Sequence, residues 1–313
     1  MLKFSVILVT YNSTFKSIMM SLESVIYQKN IDFELIITDD ASKYDYFKEI
    51  DRHLLSKNFF NYKFIKHKEN IGTVNNLLNA CKMARGYYIK AIGAGDMLYN
   101  ETVLKDIYQF MMSNKVKCLF GQMDRYYFNK SDLVTSDFNC PTILWAYRKQ
   151  SITRKIVLIN MLMDNIWASG ASMFFEKSLL VQYLGKIKNN IKYVEDLIQI
   201  LIYLDGMQMT YYERKVVWYE YGSGISTSGK KTNRLVKNDI DSFYKYITSE
   251  YKKNIIVKMA FRHRQGKAYE YRNFLWMSLN KKIEIILSKK SIAHRKKGFL
   301  TNNKFLSNLP SLE

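Results

Sequence analysis

The chain has 313 residues, 37.1 kDa and 48% hydrophobic residues, enough to bury a large core, which excludes a disordered polypeptide. Its 3 cysteines, Cys81, Cys118 and Cys140, lack CxxC spacing, which argues against a disulfide scaffold or a cysteine zinc site and for a reducing cytoplasm. The net charge of +20 is uneven: residues 227–313 carry about 20 Lys plus Arg against 6 Asp plus Glu.

Residues 4–12, FSVILVTYN, form a β-branched apolar run that stops abruptly in polar residues, as a fully buried strand does. An amphipathic helix is predicted over 15–28, then a second buried strand over 33–38, ending in Asp39 and Asp40. Two buried strands joined by a helix make a β-α-β unit, whose ligand crevice lies at the carboxyl ends of the strands. Thr10, Tyr11 and Asn12 stand at one of these ends, and Asp40 at the other. An aromatic face beside a carboxylate suits a nucleobase, which stacks and donates an N–H. Asp39 suits a helix cap.

The alternation continues with a helix at 44–55, a strand at 62–67, a helix at 74–84 and a strand at 87–92. Such a series predicts an α/β fold with a doubly wound, mostly parallel sheet and helices on both faces. Asn70 and Gly72 precede the third helix, where small residues leave backbone N–H groups open to an anion. The fourth strand runs into Gly93-Ala94-Gly95-Asp96, so Asp96 emerges on the same sheet edge as Tyr11 and Asp40. A carboxylate there suits Mn2+ or Mg2+, hard cations that neutralise a diphosphate.

Further on, a helix is predicted over 101–113 and a strand over 118–124, followed by an aromatic and polar stretch with no readable pattern. Residues 167–175, WASGASMFF, read as a small-residue loop entering a strand. Residues 192–203 read as a helix with Glu195 and Asp196 in its first turn, and 216–221 as a last strand before Gly222-Ser223-Gly224. The four histidines, His53, His67, His263 and His294, have no metal-binding spacing. Residues 4–9 run directly into TYN rather than a cleavage site, and no apolar stretch approaches a membrane span, so a soluble or peripheral protein is expected.

Beyond Ser228 the chain reads as a basic helical appendage, giving an expected division into residues 1–226 and 227–313. Leu275, Leu279, Ile283 and Ile286 fall at helical spacing, with Phe274, Trp276, Lys281, Lys282, Lys289 and Lys290 nearby. That pattern predicts association with an anionic membrane surface. Nucleic acid is the disfavoured partner, because no recognition helix, zinc finger or RNA-binding aromatic motif accompanies the charge.

Taken in order, SVILVTYN, IITDDAS, NIG, ARGYYI, GAGDML, SGASMFF, VEDL and WYEYGSGIS give roughly residues 4–226 a strong resemblance to the family 2 glycosyltransferases of the GT-A fold. These transfer sugars from nucleotide-sugars with inversion. The resemblance implies that Thr10, Tyr11 and Asp40 hold the nucleoside, and that Asn70 and Gly72 line the ribose–diphosphate side. It implies Asp96 as metal ligand, Gly170 and Ala171 against the transferred sugar, and Asp196 as general base. Asn12, Asn76 and Gly95 are assigned to the same donor site.

The chain departs from the family pattern in four places. Gly93-Ala94-Gly95-Asp96 retains one carboxylate of a fuller acidic motif, and Asn76-Leu77 stands where an Arg often follows NxG. A His often found near Glu220-Tyr221 is missing, leaving Glu220 as a possible substitute ligand. The QxxRW element of processive members is also missing, which predicts single-sugar addition. The expected activity is single-sugar transfer, with UDP-sugar favoured over dTDP or GDP donors, to a saccharide or lipid-linked saccharide in surface polysaccharide synthesis. The expected location is the cytoplasmic face of the cell membrane. A nucleotidyltransferase on a similar sheet and a binding relative that has lost turnover are the alternatives.

Overall fold

A computed structural model describes residues 2–129, 132–138, 140–148, 150–222, 230–266, 269–287 and 299–301. The amino-terminal half alternates β1 (Phe4–Thr10), α1 (Phe15–Ile26), β2 (Phe33–Asp39), α2 (Phe47–Ser56), β3 (Tyr62–Lys66), α3 (Thr73–Met83) and β4 (Tyr88–Gly93). A two-residue β5 (Met97–Leu98), α4 (Val103–Ser113), β6 (Cys118–Asn129) and β7 (Asp132–Phe138) follow. Next come α5 (Trp145–Arg148), α6 (Gln150–Asp164), β8 (Met173–Glu176), α7 (Lys177–Ile187), α8 (Ile198–Leu204) and β9 (Thr210–Glu220). Three helices, α9 (Lys230–Glu250), α10 (Ile255–Gln265) and α11 (Tyr269–Leu287), and a 3-10 turn at Phe299–Thr301 come last among the described residues.

The strands form one nine-stranded sheet in the order β3-β2-β1-β4-β8-β6-β9-β5, with β7 paired to β6. The four strands read most easily from the sequence, β3-β2-β1-β4, are parallel throughout. Alternate residues of these strands enter opposite cores. Val6, Leu8, Leu35, Ile37 and Ile92 meet α1, α2 and α4, while Ile7, Ile36 and Ile89 meet α3, α7 and α8. Burial on both faces is why these runs are continuously apolar. Register aligns Thr10 with Asp39 and Val9 with Gly93, so three strands end together and present their last residues along one edge.

The stretch without a readable pattern is the β6–β7 hairpin followed by α5 and α6. β9 starts at Thr210 rather than 216, because its first residues pair with Leu119 and Phe120 of β6. The helix expected over 192–203 is broken: Glu195–Leu197 is a single 3-10 turn, and α8 starts only at Ile198. The cause lies 45 to 47 residues downstream, in Asp239 of α9, whose carboxylate accepts the backbone N–H groups of Lys192, Tyr193 and Val194.

α9 and α10 join the main core through Phe243, Tyr244, Ile247, Val257 and Ala260. On α11, Trp276 turns inward to donate to Asn160 Oδ1 at 2.8 Å, while Leu275, Leu279 and Ile286 face solvent. The expected boundary at 226/227, Ser223-Gly224, Lys289, Lys290 and His294 lie outside the described residues. Among the described residues, no helix is long and apolar enough to cross a membrane.

Candidate active site

A cleft of about 380 Å³ opens at the carboxyl ends of β1, β2 and β4. Thr10, Tyr11, Asp40, Asn76, Asp96, Gly170, Ala171 and Asp196 line it together. Asn12, Asn70, Gly72 and Gly95 stand behind this wall and shape it. Asn12 ties the β1 end to the β2 loop, donating its N–H to Ser42 Oγ at 2.7 Å and accepting from Lys43 N at 3.1 Å. Asn70 Oδ1 is enclosed without a hydrogen-bond partner among the described residues.

The two aspartates at the end of β2 divide their work. Asp39 is fully buried and accepts from Thr10 Oγ1 at 2.8 Å and from the Ser42 amide and hydroxyl at 2.7 and 2.6 Å. It closes the loop after β2 rather than capping a helix as expected, because α2 starts only at Phe47, with Tyr46 at its N-cap and no side-chain cap. Asp40 accepts one N–H on each oxygen, from Ile71 at 2.8 Å and Gly72 at 2.9 Å. A carboxylate has about four acceptor positions, so Asp40 keeps capacity toward the cleft it lines. Gly72 has φ +83°, and a Cβ there would stand 2.5 Å from the Lys192 carbonyl oxygen. Only glycine lets this turn approach the Lys192 loop.

Asn76 is fully buried in the cleft wall. Its Oδ1 accepts from the Thr38 hydroxyl and from His67 Nε2, leaving Nδ2 without a partner among the described residues. An unpaired amide in a cleft wall is a donor available to a ligand.

Asp96 follows a tight turn in which its N–H donates to Gly93 O at 3.1 Å. Gly95 has φ +99°, and a Cβ would collide with the Glu220 carboxylate. Asp96 Oδ1 accepts the Glu220 N–H at 3.1 Å, bringing the turn after β4 beside the end of β9. Burial pushes the Asp96 carboxyl up to about 7, against the Glu220 N–H and the Lys90 charge, which favour ionisation. A buried carboxylate with a second carboxylate beside it is an oxygen donor set that a divalent cation would relieve. Mg2+ or Mn2+ would suit this pair of carboxylates. Among the described residues, no group of three or more His, Cys, Asp or Glu side chains forms a closed cage.

Lys90 went unread in the sequence. It is fully buried in β4, donates to the carbonyls of Ala91 at 2.6 Å and Ala171 at 2.5 Å, and lies over the Phe174 ring. Burial pushes its ammonium down to about 7, while Asp96 and Glu195 oppose that shift. It pins the small-residue loop to the central strand. The signal was a lysine in mid-strand where an apolar residue belongs.

Across the cleft, Asp196 sits in the 3-10 turn, hydrogen-bonded by the Gly170 backbone and the Trp167 side chain, with Oδ1 enclosed and unpartnered among the described residues. Burial raises both Glu195 and Asp196 above the ordinary carboxylate range, and Asp196 raises Glu195 further. A Cβ on Gly170 would come within 2.5 Å of Glu195 Oε1. Behind this turn, Asp239 accepts from Lys192 N at 3.2 Å, Tyr193 N at 2.6 Å and Val194 N at 3.0 Å, and Val236 of the same helix reaches the cleft. Sequence reasoning missed Asp239, because no local pattern marks an acid that caps a loop so far away.

Residues 5–177 match the model of the family described as glycosyl transferase family 2. No curated protein matches the chain in sequence. Among solved structures, TarS of S. aureus in complex with UDP-GlcNAc is similar over 99% of this chain and 82% of that one, at 17% identity and a TM-score of 0.56. A longer TarS structure matches at 18% identity and a TM-score of 0.54, and there this chain covers 92% of itself but only 44% of TarS. The mannosyltransferase PcManGT of Pyrobaculum calidifontis, in complex with GDP-Man and Mn2+, matches at 12% identity over 93% of this chain and 77% of that one, with a TM-score of 0.56. At such identities the structures speak for the fold, a GT-A-type α/β architecture. The family match covers more than half of the chain, from β1 through β8 and including the Asp40 and Asp96 strand ends, so this protein belongs to glycosyl transferase family 2.

Proposed function

We propose that the protein is an inverting, metal-assisted glycosyltransferase that adds one sugar from a nucleotide-sugar to a saccharide or lipid-linked saccharide during surface polysaccharide synthesis. The observation that carries the reading is the convergence of Asp40, Asp96 and Asp196, from three distant segments, on one cleft. Asp40 accepts an N–H from the base, and Tyr11, half exposed beside it, offers a ring for stacking. A uracil N3–H suits the remaining lone pairs of Asp40, and the UDP-GlcNAc bound by TarS supports a UDP-sugar donor. The GDP-Man complex of PcManGT shows that a related fold also accepts guanine nucleotides.

Inversion requires a base on the side opposite the departing diphosphate. Asp196 supplies it, taking the acceptor hydroxyl proton as oxygen attacks the anomeric carbon. Its raised proton affinity matches it to that task near neutral pH. Lys90 and Gly170 keep the small-residue loop in place, so that Ala171 faces the transferred sugar. A divalent ion held by Asp96, with Glu220 alongside, would neutralise the diphosphate as it leaves.

The exposed stripe of α11, Leu275, Leu279 and Ile286 with Lys281 and Lys282, supports peripheral attachment to an anionic membrane on the cytoplasmic face. The test of the catalytic reading is a nucleotide-sugar screen by thermal shift with Mn2+, followed by transfer assays. Asp196→Asn should abolish transfer with UDP binding retained, and Asp96→Ala should remove metal-dependent UDP binding. Full transfer rates in both variants would sink the assignment.

A further inference from the structure

Beyond the base, the cleft floor continues as an aromatic strip with a cation at its centre. Arg125 of β6 is in register with Tyr219 of β9 in a parallel pair, so both side chains stand on one sheet face, and Tyr219 lines the cleft. The Arg125 guanidinium lies 3.3 Å from the centre of the Phe138 ring and 5.0 Å from that of Tyr221. Tyr127 and Tyr221 meet at 6.5 Å, edge to face, and are 40% and 49% exposed, so their rings are open to a ligand. Arg125 Nε is enclosed and has no hydrogen-bond partner among the described residues.

We propose that Arg125, Tyr127, Phe138, Tyr219 and Tyr221 form an acceptor subsite for a saccharide that carries an acidic group. This rests on the reading of Asp196 as the base. Aromatic faces cover the apolar face of a sugar ring, and a guanidinium already stacked between rings presents its fork to a carboxylate or phosphate in two parallel hydrogen bonds. The cleft walls bear Asp40, Asp96, Glu195 and Asp196, so an anionic acceptor gains from having its charge held apart from them. The strip does that while leaving a neighbouring hydroxyl free to reach the base.

The test measures binding to the full chain by calorimetry, with and without UDP and Mn2+. The probes are trigalacturonic acid, mannose 6-phosphate and neutral maltotriose. At least one acidic probe should bind ten times more tightly than maltotriose, and Arg125→Gln should erase that difference. Arg125→Lys should restore part of it, and Tyr221→Ser should weaken all three probes. Whichever acidic probe binds more tightly names a carboxylate or a phosphate as the natural group. Equal binding of acidic and neutral probes, or unchanged acidic binding in Arg125→Gln, overturns the subsite. So does a loss of UDP affinity in Arg125→Gln, which would assign the residue to the donor diphosphate. A wild-type protein that ignores UDP but still discriminates the probes would instead refute the donor reading.

Discussion

The Asp239 carboxylate accepts the backbone N–H of Tyr193 at 2.6 Å and, with the neighbouring amides of Lys192 and Val194, holds the loop that carries Asp196. It is 7% exposed, so removing it leaves three amides without an acceptor in a dry place. Asp239→Ala should lower stability by about 2–4 kcal/mol. In the folded fraction kcat should fall at least tenfold and more than UDP affinity, because Asp239 holds the loop of Asp196 directly and reaches the donor half only through the Lys192 contact with the Gly72 turn. Chemical denaturation, UDP titration and transfer kinetics check each part. Equal losses of UDP binding and kcat would mean that Asp239 supports the whole fold rather than the base loop.

Activity should rise with pH. Asp196 must be ionised to accept a proton, and burial raises its proton affinity above that of an ordinary carboxylate. The acid limb of kcat/KM should therefore lie well above pH 4, the usual carboxylate region. A limb near pH 4 would remove Asp196 from the role of buried base.

The same burial acts on stability in the opposite sense to activity. Between the unfolded and the raised native values, the folded state binds more protons than the unfolded one, so stability falls as pH rises through that window. Asp196→Asn removes that contribution. The inactive variant should melt above the wild type at pH 8, by on the order of 2–4 °C, with a smaller gap at pH 5. Melting curves at the two pH values decide it.

Gly72→Ala should weaken nucleotide binding although Gly72 stands behind the cleft wall. The added methyl group meets the Lys192 backbone in a left-handed conformation, and neither can yield cheaply. Displacing Gly72 breaks its N–H bond to Asp40 Oδ2. UDP affinity should drop at least tenfold, read by titration. Gly170→Ala is the contrast: its methyl clashes with the end of the Glu195 side chain and touches Asp196 Cβ, so transfer should suffer more than UDP binding.

For α11, replacing Leu275 and Leu279 with Glu should abolish co-sedimentation with anionic vesicles without lowering the melting temperature, since both side chains are half exposed. Trp276→Ala should do the reverse, because its indole donates to Asn160. Salt should weaken the wild-type interaction. Unchanged sedimentation of the double variant would end the membrane assignment.

The donor half was legible because β1, β2 and β4 are buried on both faces, and continuous apolar runs broken by Thr10, Asp40 and Asp96 announce themselves. The placement of Asp96 and Asp40 on one edge followed from strand parity and parallel topology alone. The side of the cleft proposed for the acceptor resisted because its determinants are long-range. The hairpin that carries Arg125 is stabilised by pairing with β9 nearly a hundred residues on, and the base loop by an acid in α9. Gly72 and Gly95 were noticed as small residues, but the reason for their size lies with Lys192 and Glu220, which no local window contains.

The segment recognised by the family model stops at residue 177, before Asp196, the proposed base, before Glu220 beside Asp96, and before Asp239, which holds the loop that carries Asp196. On the proposed assignment, trimming the protein back to that recognisable portion would leave a nucleotide holder without its base. The shortest polypeptide with an intact reaction chamber must run into the helix that contains Val236 and Asp239. Engineering of new specificities should therefore graft whole tails rather than exchange the familiar front end.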